Sequence, residues 1–112
     1  MIRWYKDLFM DETVAGNPDM HKENAESGKL HIFPLYCVAI AASDDNLLDI
    51  ISCNELYFKY YKRKELQVLG LASSYKEALK LTEAILMKVY GATGAFDVRK
   101  YYIAAQDDGC DN

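Results

Sequence analysis

The sequence predicts a small α/β domain made of two βα units, with helices packed on a short sheet. Three observations carry this reading. The apolar run Val38-Ala39-Ile40-Ala41-Ala42-Ser43 is echoed thirty positions later by Val68-Leu69-Gly70-Leu71-Ala72-Ser73, about the spacing of one βαβ unit. An amphipathic stretch follows each run. Both runs are apolar on both faces, the pattern of strands covered from two sides.

The 112-residue length fits one domain. That domain is expected over 1–105, with a helical, polar region at 1–29, a βαβα core at 30–105 and an acidic, flexible tail at 106–112. Hydrophobic residues make up 51%, well above the level of a disordered chain. Nine tyrosines suit half-buried positions, where the ring packs and the hydroxyl stays wet, and hint at a semi-polar interface.

Residues 2–10 read as a short amphipathic helix: Ile2, Tyr5 and Phe9 share a stripe that Trp4 and Leu8 broaden. A strand is the weaker alternative. Asp11 to Gly16 reads as a polar connection. Asn17-Pro18 is a helix-start signal, with asparagine as cap and proline where its missing N–H costs nothing. That polar helix should stop at Gly28. The first strand is expected at 35–42, after Pro34, because proline cannot donate to a ladder. Ser43-Asp44-Asp45-Asn46 offers several caps before Leu47-Leu48 and Ile50-Ile51, so a helix is expected there, ending near Cys53-Asn54.

The second strand is expected at 66–72, with Gly70 and Ala72 on one side and Leu69 and Leu71 on the other. Ser74-Tyr75-Lys76-Glu77 is a capping box. The helix it opens has Ala78, Leu81, Ile85 and Val89, joined by Leu79, Thr82 and Leu86, on a wide apolar face. Gly91 or Gly94 can end it, and Asp97 caps a last short turn through Tyr101-Tyr102. Two strands do not make a stable sheet alone. Either residues 97–103 supply a third, or a second copy of the chain pairs across a two-fold axis, which is the favoured expectation. A connection of this length permits a parallel crossover between the two strands and does not exclude antiparallel pairing.

Composition excludes several function classes. A net charge of −4 does not support strong electrostatic binding to nucleic acid or to an anionic membrane. The start carries no secretory pattern and the longest uncharged stretch, Leu30 to Ser43, is too short to span a bilayer. A soluble cytoplasmic protein is expected. Cys37, Cys53 and Cys110 stand far apart, which argues against a disulfide framework, and with His21 and His31 they show no metal-ligand spacing. Cys37 reads as a small buried hydrophobe. No cofactor motif is present: there is no GxGxxG, no Walker-type loop and no GxSxG.

Two sets of candidate residues remain. The strand-to-helix junctions Ser43-Asp44 and Ser73-Ser74 could present helix N-termini to a phosphate or carboxylate. Simple capping, which needs nothing extra, is the favoured reading of them, and Asp44 itself opposes an anion. The run Tyr57-Phe58-Lys59-Tyr60-Tyr61-Lys62-Arg63-Lys64 interleaves rings and cations that could stack on bases or meet an acidic partner. Here Tyr57, Tyr60, Tyr61, Lys62, Arg63 and Lys64 read first as core rings with solvated cations, next as an interface and last as an RNA site. The acidic pairs Asp11-Glu12, Asp44-Asp45 and Asp107-Asp108 read as solvated caps and tail rather than acid/base machinery.

The segments Trp4-Tyr5-Lys6-Asp7-Leu8-Phe9-Met10-Asp11-Glu12, Asp45-Asn46-Leu47-Leu48-Asp49-Ile50 and Phe58 through Ala72 resemble a family of small uncharacterised proteins from anaerobic Gram-positive bacteria. The similarity covers most of residues 1–102. It implies a bacterial cytoplasmic protein and brings no activity, cofactor or functional residue. The functional expectation leans away from an enzyme and toward an interaction or assembly module. Its partner would be a second copy of itself, with an unidentified protein partner also open. The rival is a small-ligand or anion-binding protein using the two junctions.

Overall fold

The computed structural model describes residues 2–27, 34–41, 47–55 and 66–102. Among them are strands β1 (Ile2–Met10), β2 (Tyr36–Ile40), β3 (Leu48–Ser52) and β4 (Leu66–Ala72), and helices α1 (Glu12–Gly16), α2 (Pro18–Glu26) and α3 (Tyr75–Thr93). A last helical turn covers 98–102. The strands form one sheet in the order β1-β4-β2-β3. β1 runs parallel to β4, while β2 runs antiparallel to both β4 and β3.

The mixed α/β class is as expected, but the architecture differs in five places, the first being Asp11 to Gly16, read as a polar connection, where Asp11 caps the short helix α1. The sheet has four strands in one chain, so it needs no second copy to complete it. Residues 2–10 are a strand, not a helix. Even-numbered Ile2, Trp4, Leu8 and Met10 face one layer, and odd-numbered Tyr5 and Phe9 face the other. With both faces covered, the apolar residues of a strand fill both parities and imitate a broad helical stripe. The helix expected after residue 46 is β3, so the first unit is a β-hairpin rather than βα. Residues 98–102 are helical, not a third strand.

Local chemistry explains the elements that match. Asn17 caps α2 through its side chain and Pro18 opens it. Ser74 Oγ accepts from the Glu77 N–H at 3.1 Å, the capping box of α3. Gly94 ends that helix in the left-handed region at φ 74°, where a side chain would be strained. Asp97 caps the last turn by accepting from the Lys100 N–H.

Helices cover both faces of the sheet. On one face α3 and the last turn bury Val38, Ile40, Leu69, Leu81, Ile85, Val89, Val98 and Tyr102 together. On the other face α1 and α2 bury Val14 and Ala25 against Leu8, Cys37, Ile51, Val68 and Leu71. The Trp4 indole donates to Glu26, and Lys22 lies 5.9 Å from the Trp4 ring, fastening α2 over β1.

β4 is bulged. Ala39 pairs with Val68 while Val38 pairs with Gly70, so Leu69 is an extra residue. Leu69 and Ala72 therefore join the α3 layer while Val68 and Leu71 join the other. This corrects the simple alternation that placed Leu69 and Leu71 together. Gly70 sits where the chain is tightest: a Cβ there would lie 3.4 Å from Phe9 O and from Leu81 Cδ1. No helix among the described residues is long and apolar enough to cross a membrane.

Candidate functional site

The parallel pair β1 and β4 ends at one edge of the sheet, and the helices after them leave toward opposite faces. α1 goes to one layer and α3 to the other. This is the local geometry of a switch point, where α/β proteins commonly bind ligands beyond the strand ends. Ser73 and Ser74 stand there, at the junction expected from the sequence.

Their hydrogen-bonding groups are engaged within the chain. Ser74 caps α3. Ser73 donates from its N–H at 2.8 Å and from its hydroxyl at 2.6 Å, both to Asp11 Oδ2. Asp11 Oδ1 accepts from the Val14 N–H at 2.8 Å and caps α1. One carboxylate thus stands where an anion would sit and joins two strand ends with two helix starts. Asp11 is only 8% exposed, which corrects its reading as a solvated cap. Burial pushes its pKa up. The Ser73 hydroxyl, the Val14 and Ser73 N–H groups and the charge of His21 together outweigh that and hold it below its ordinary value.

Chemically the arrangement ties rather than reacts. A carboxylate held at low pKa is a poor base toward a serine hydroxyl. Among the described residues no group of three or more His, Cys, Asp or Glu could hold a metal ion. A tyrosine cluster lies within the α3 layer, with Tyr5 and Tyr102 edge-on at 5.1 Å and Tyr101 at 4.9 Å from Tyr102. Burial, then the Tyr5 and Tyr101 charges, push Tyr102 up to about 12, so it stays a neutral phenol.

Ser43 and Asp44 lie outside the described residues, as does the whole candidate run Tyr57, Tyr60, Tyr61, Lys62, Arg63 and Lys64. Among the described residues, the element that follows Ser43 and Asp44 is β3.

Three features have no counterpart in the sequence reading. Asp11 reaches Ser73 across 62 positions, a link no local motif signals. Cys37 and Cys53 meet in the α1/α2 layer with their sulfurs 3.5 Å apart. Finally, α3 leaves large apolar side chains in solvent. Tyr75 is 53% exposed, Leu79 48%, Met87 57% and Tyr90 47%, with Phe96 stacked on Tyr90 at 4.9 Å just beyond the helix. Leu79 thus lies off the buried face on which the helical spacing placed it.

No family model matches this chain, and neither a curated protein nor a solved structure is similar to it.

Proposed function

We propose that the protein is a non-enzymatic assembly module of the bacterial cytoplasm that acts as a homodimer, joined through the outer face of α3. The observation that carries this reading is the exposed apolar stripe on that helix. The exposed Tyr75, Leu79 and Tyr90, with the half-buried Leu86 that also packs on the core beneath, are spaced by four, seven and four residues and so line one side. Stripes of this kind in water mark contact surfaces more often than isolated apolar residues do.

The stripe also fits its own copy. Tyr75 and Tyr90 are equidistant from a point between Thr82 and Glu83, and so are Leu79 and Leu86. A two-fold axis through that point would set Tyr75 against the partner's Tyr90 and Leu79 against the partner's Leu86, as an isologous contact demands. Strand pairing across the β1 edge is the poorer route. The register of β1 on β4 breaks between Trp4 and Phe9, and the exposed charges Lys6 and Asp7 sit in that irregular stretch.

Native mass spectrometry tests the reading. The expected mass is twice the 12.8 kDa chain. Leu79→Lys with Tyr90→Lys should give a folded monomer, because both positions are exposed and lysine is a good helix former. A monomeric wild-type chain would overturn the dimer. A discrete small adduct would instead favour a ligand at the β1 and β4 strand ends.

A further inference from the structure

We propose that Cys37 and Cys53 are a disulfide-forming site, oxidised in place by a peroxide to staple the end of β3 to the centre of the sheet. The placement is cross-strand. Tyr36 pairs with Ser52, and the Cys53 N–H donates to Leu35 O at 2.8 Å, which carries the ladder one step past β3. Cys37 and Cys53 are therefore diagonal neighbours on one face. Their sulfurs are already in contact at 3.5 Å, both thiols are free and both are buried. A disulfide needs about 2.05 Å between the sulfurs, so one side must move. Cys37 lies within β2, whereas Cys53 begins the turn at 53–54, so Cys53 is the side placed to move.

The hydrogen bond with Cys53, burial and the charge of Cys53 all push the Cys37 thiol well above its ordinary value. Cys53, which sits at the turn after β3, is the attacking sulfur in this scheme. Its thiolate displaces hydroxide from hydrogen peroxide, breaking the O–O bond, and becomes a sulfenic acid while the thiol proton leaves with hydroxide as water. Cys37 Sγ next attacks the sulfenyl sulfur. The S–S bond forms, the S–O bond breaks, and the departing hydroxide takes the Cys37 proton as a second water. The two sulfurs lose two electrons and the peroxide gains them.

The test uses the full chain carrying Cys110→Ser, so that these are its two thiols. Folded protein is treated with hydrogen peroxide, quenched, denatured and alkylated, and its intact mass and cross-linked peptides are read. The expected product resists alkylation, yields a peptide joining Cys37 to Cys53, melts at higher temperature and returns to the starting mass with dithiothreitol. Two alkylatable thiols after treatment would overturn the proposal, and so would oxygen added to either cysteine without the linked peptide. Cys53→Ala should lose the linked peptide and leave Cys37 open to alkylation. Should that variant not fold, the peptide map of the parent chain decides alone.

Discussion

β2 and β4 lie side by side in the sheet, both deeply buried, yet they hand the chain to different structures. β4 passes through Ser73 and Ser74 into the 19-residue helix α3, and β2 leads to the five-residue edge strand β3. The difference has two physical sources. The stretch after β4 is long and built from Ala, Leu, Lys and Glu, so it can form enough turns to repay helix nucleation. Its start is also held at both serines, Ser74 by the Glu77 N–H and Ser73 by Asp11. The next element after β2 has only five residues, and two of them are the adjacent β-branched Ile50 and Ile51. In a strand these two point into opposite layers, and each is covered. An apolar run that ends in serine does not by itself select a helix or a strand as the next element. The length of the next pattern and an anchor from elsewhere in the chain do.

The largest test of this contrast is Ile51→Ala. The side chain is 3% exposed against the α1/α2 layer, and its loss should cost about 3 kcal/mol in urea unfolding. A cost below about 1 kcal/mol would mean that β3 does not bury this residue.

Asp11→Asn comes next, at about 2 kcal/mol near neutral pH, because the neutral amide accepts more weakly and turns a donor toward donors. The pH dependence has a definite sign. The Asp11 pKa is lowered in the folded state, so its stabilisation is present above the ordinary value of 3.8 and is lost as pH falls through the lower folded value. The stability gap between wild type and Asp11→Asn should therefore narrow below about pH 4. A gap unchanged from pH 7 to pH 3 would refute the ionised anchor.

The smallest effect belongs to Ser74→Ala, about 1 kcal/mol for one helix cap, seen as a modest fall in the melting temperature.

The features legible in the chain are local. The capping box of α3, its Gly94 end, the Asn17-Pro18 start of α2 and the Asp97 cap each act within a few residues, and each is found. β2 and β4 are legible because Val, Ile, Leu and Ala fill both their faces. β1 is hidden by that same two-sided burial, which makes Ile2, Tyr5 and Phe9 look like a helical stripe. β3 is hidden because Asp45 and Asn46 before two apolar pairs read equally well as caps. At the candidate site Ser73 and Ser74 are legible as a strand-to-helix junction, but Asp11, the partner that occupies it, is not. Cys37 and Cys53 look unrelated at a separation of sixteen. They become neighbours only once β2 and β3 pair and bring the turn after β3 beside Leu35.

The parallel pairing of β1 with β4 also sets an order of events during synthesis. Ile2 pairs with Leu66, and Met10 with Leu71, so β1 leaves the ribosome some sixty residues before the strand it borders. The β2–β3 hairpin can close from neighbouring segments while β1 waits, its Trp4 and Phe9 uncovered. That delay is when the nascent chain is most open to wrong strand partners and to chaperones. The arrival of β4, flanked by β1 and β2, joins the two halves of the sheet in one step.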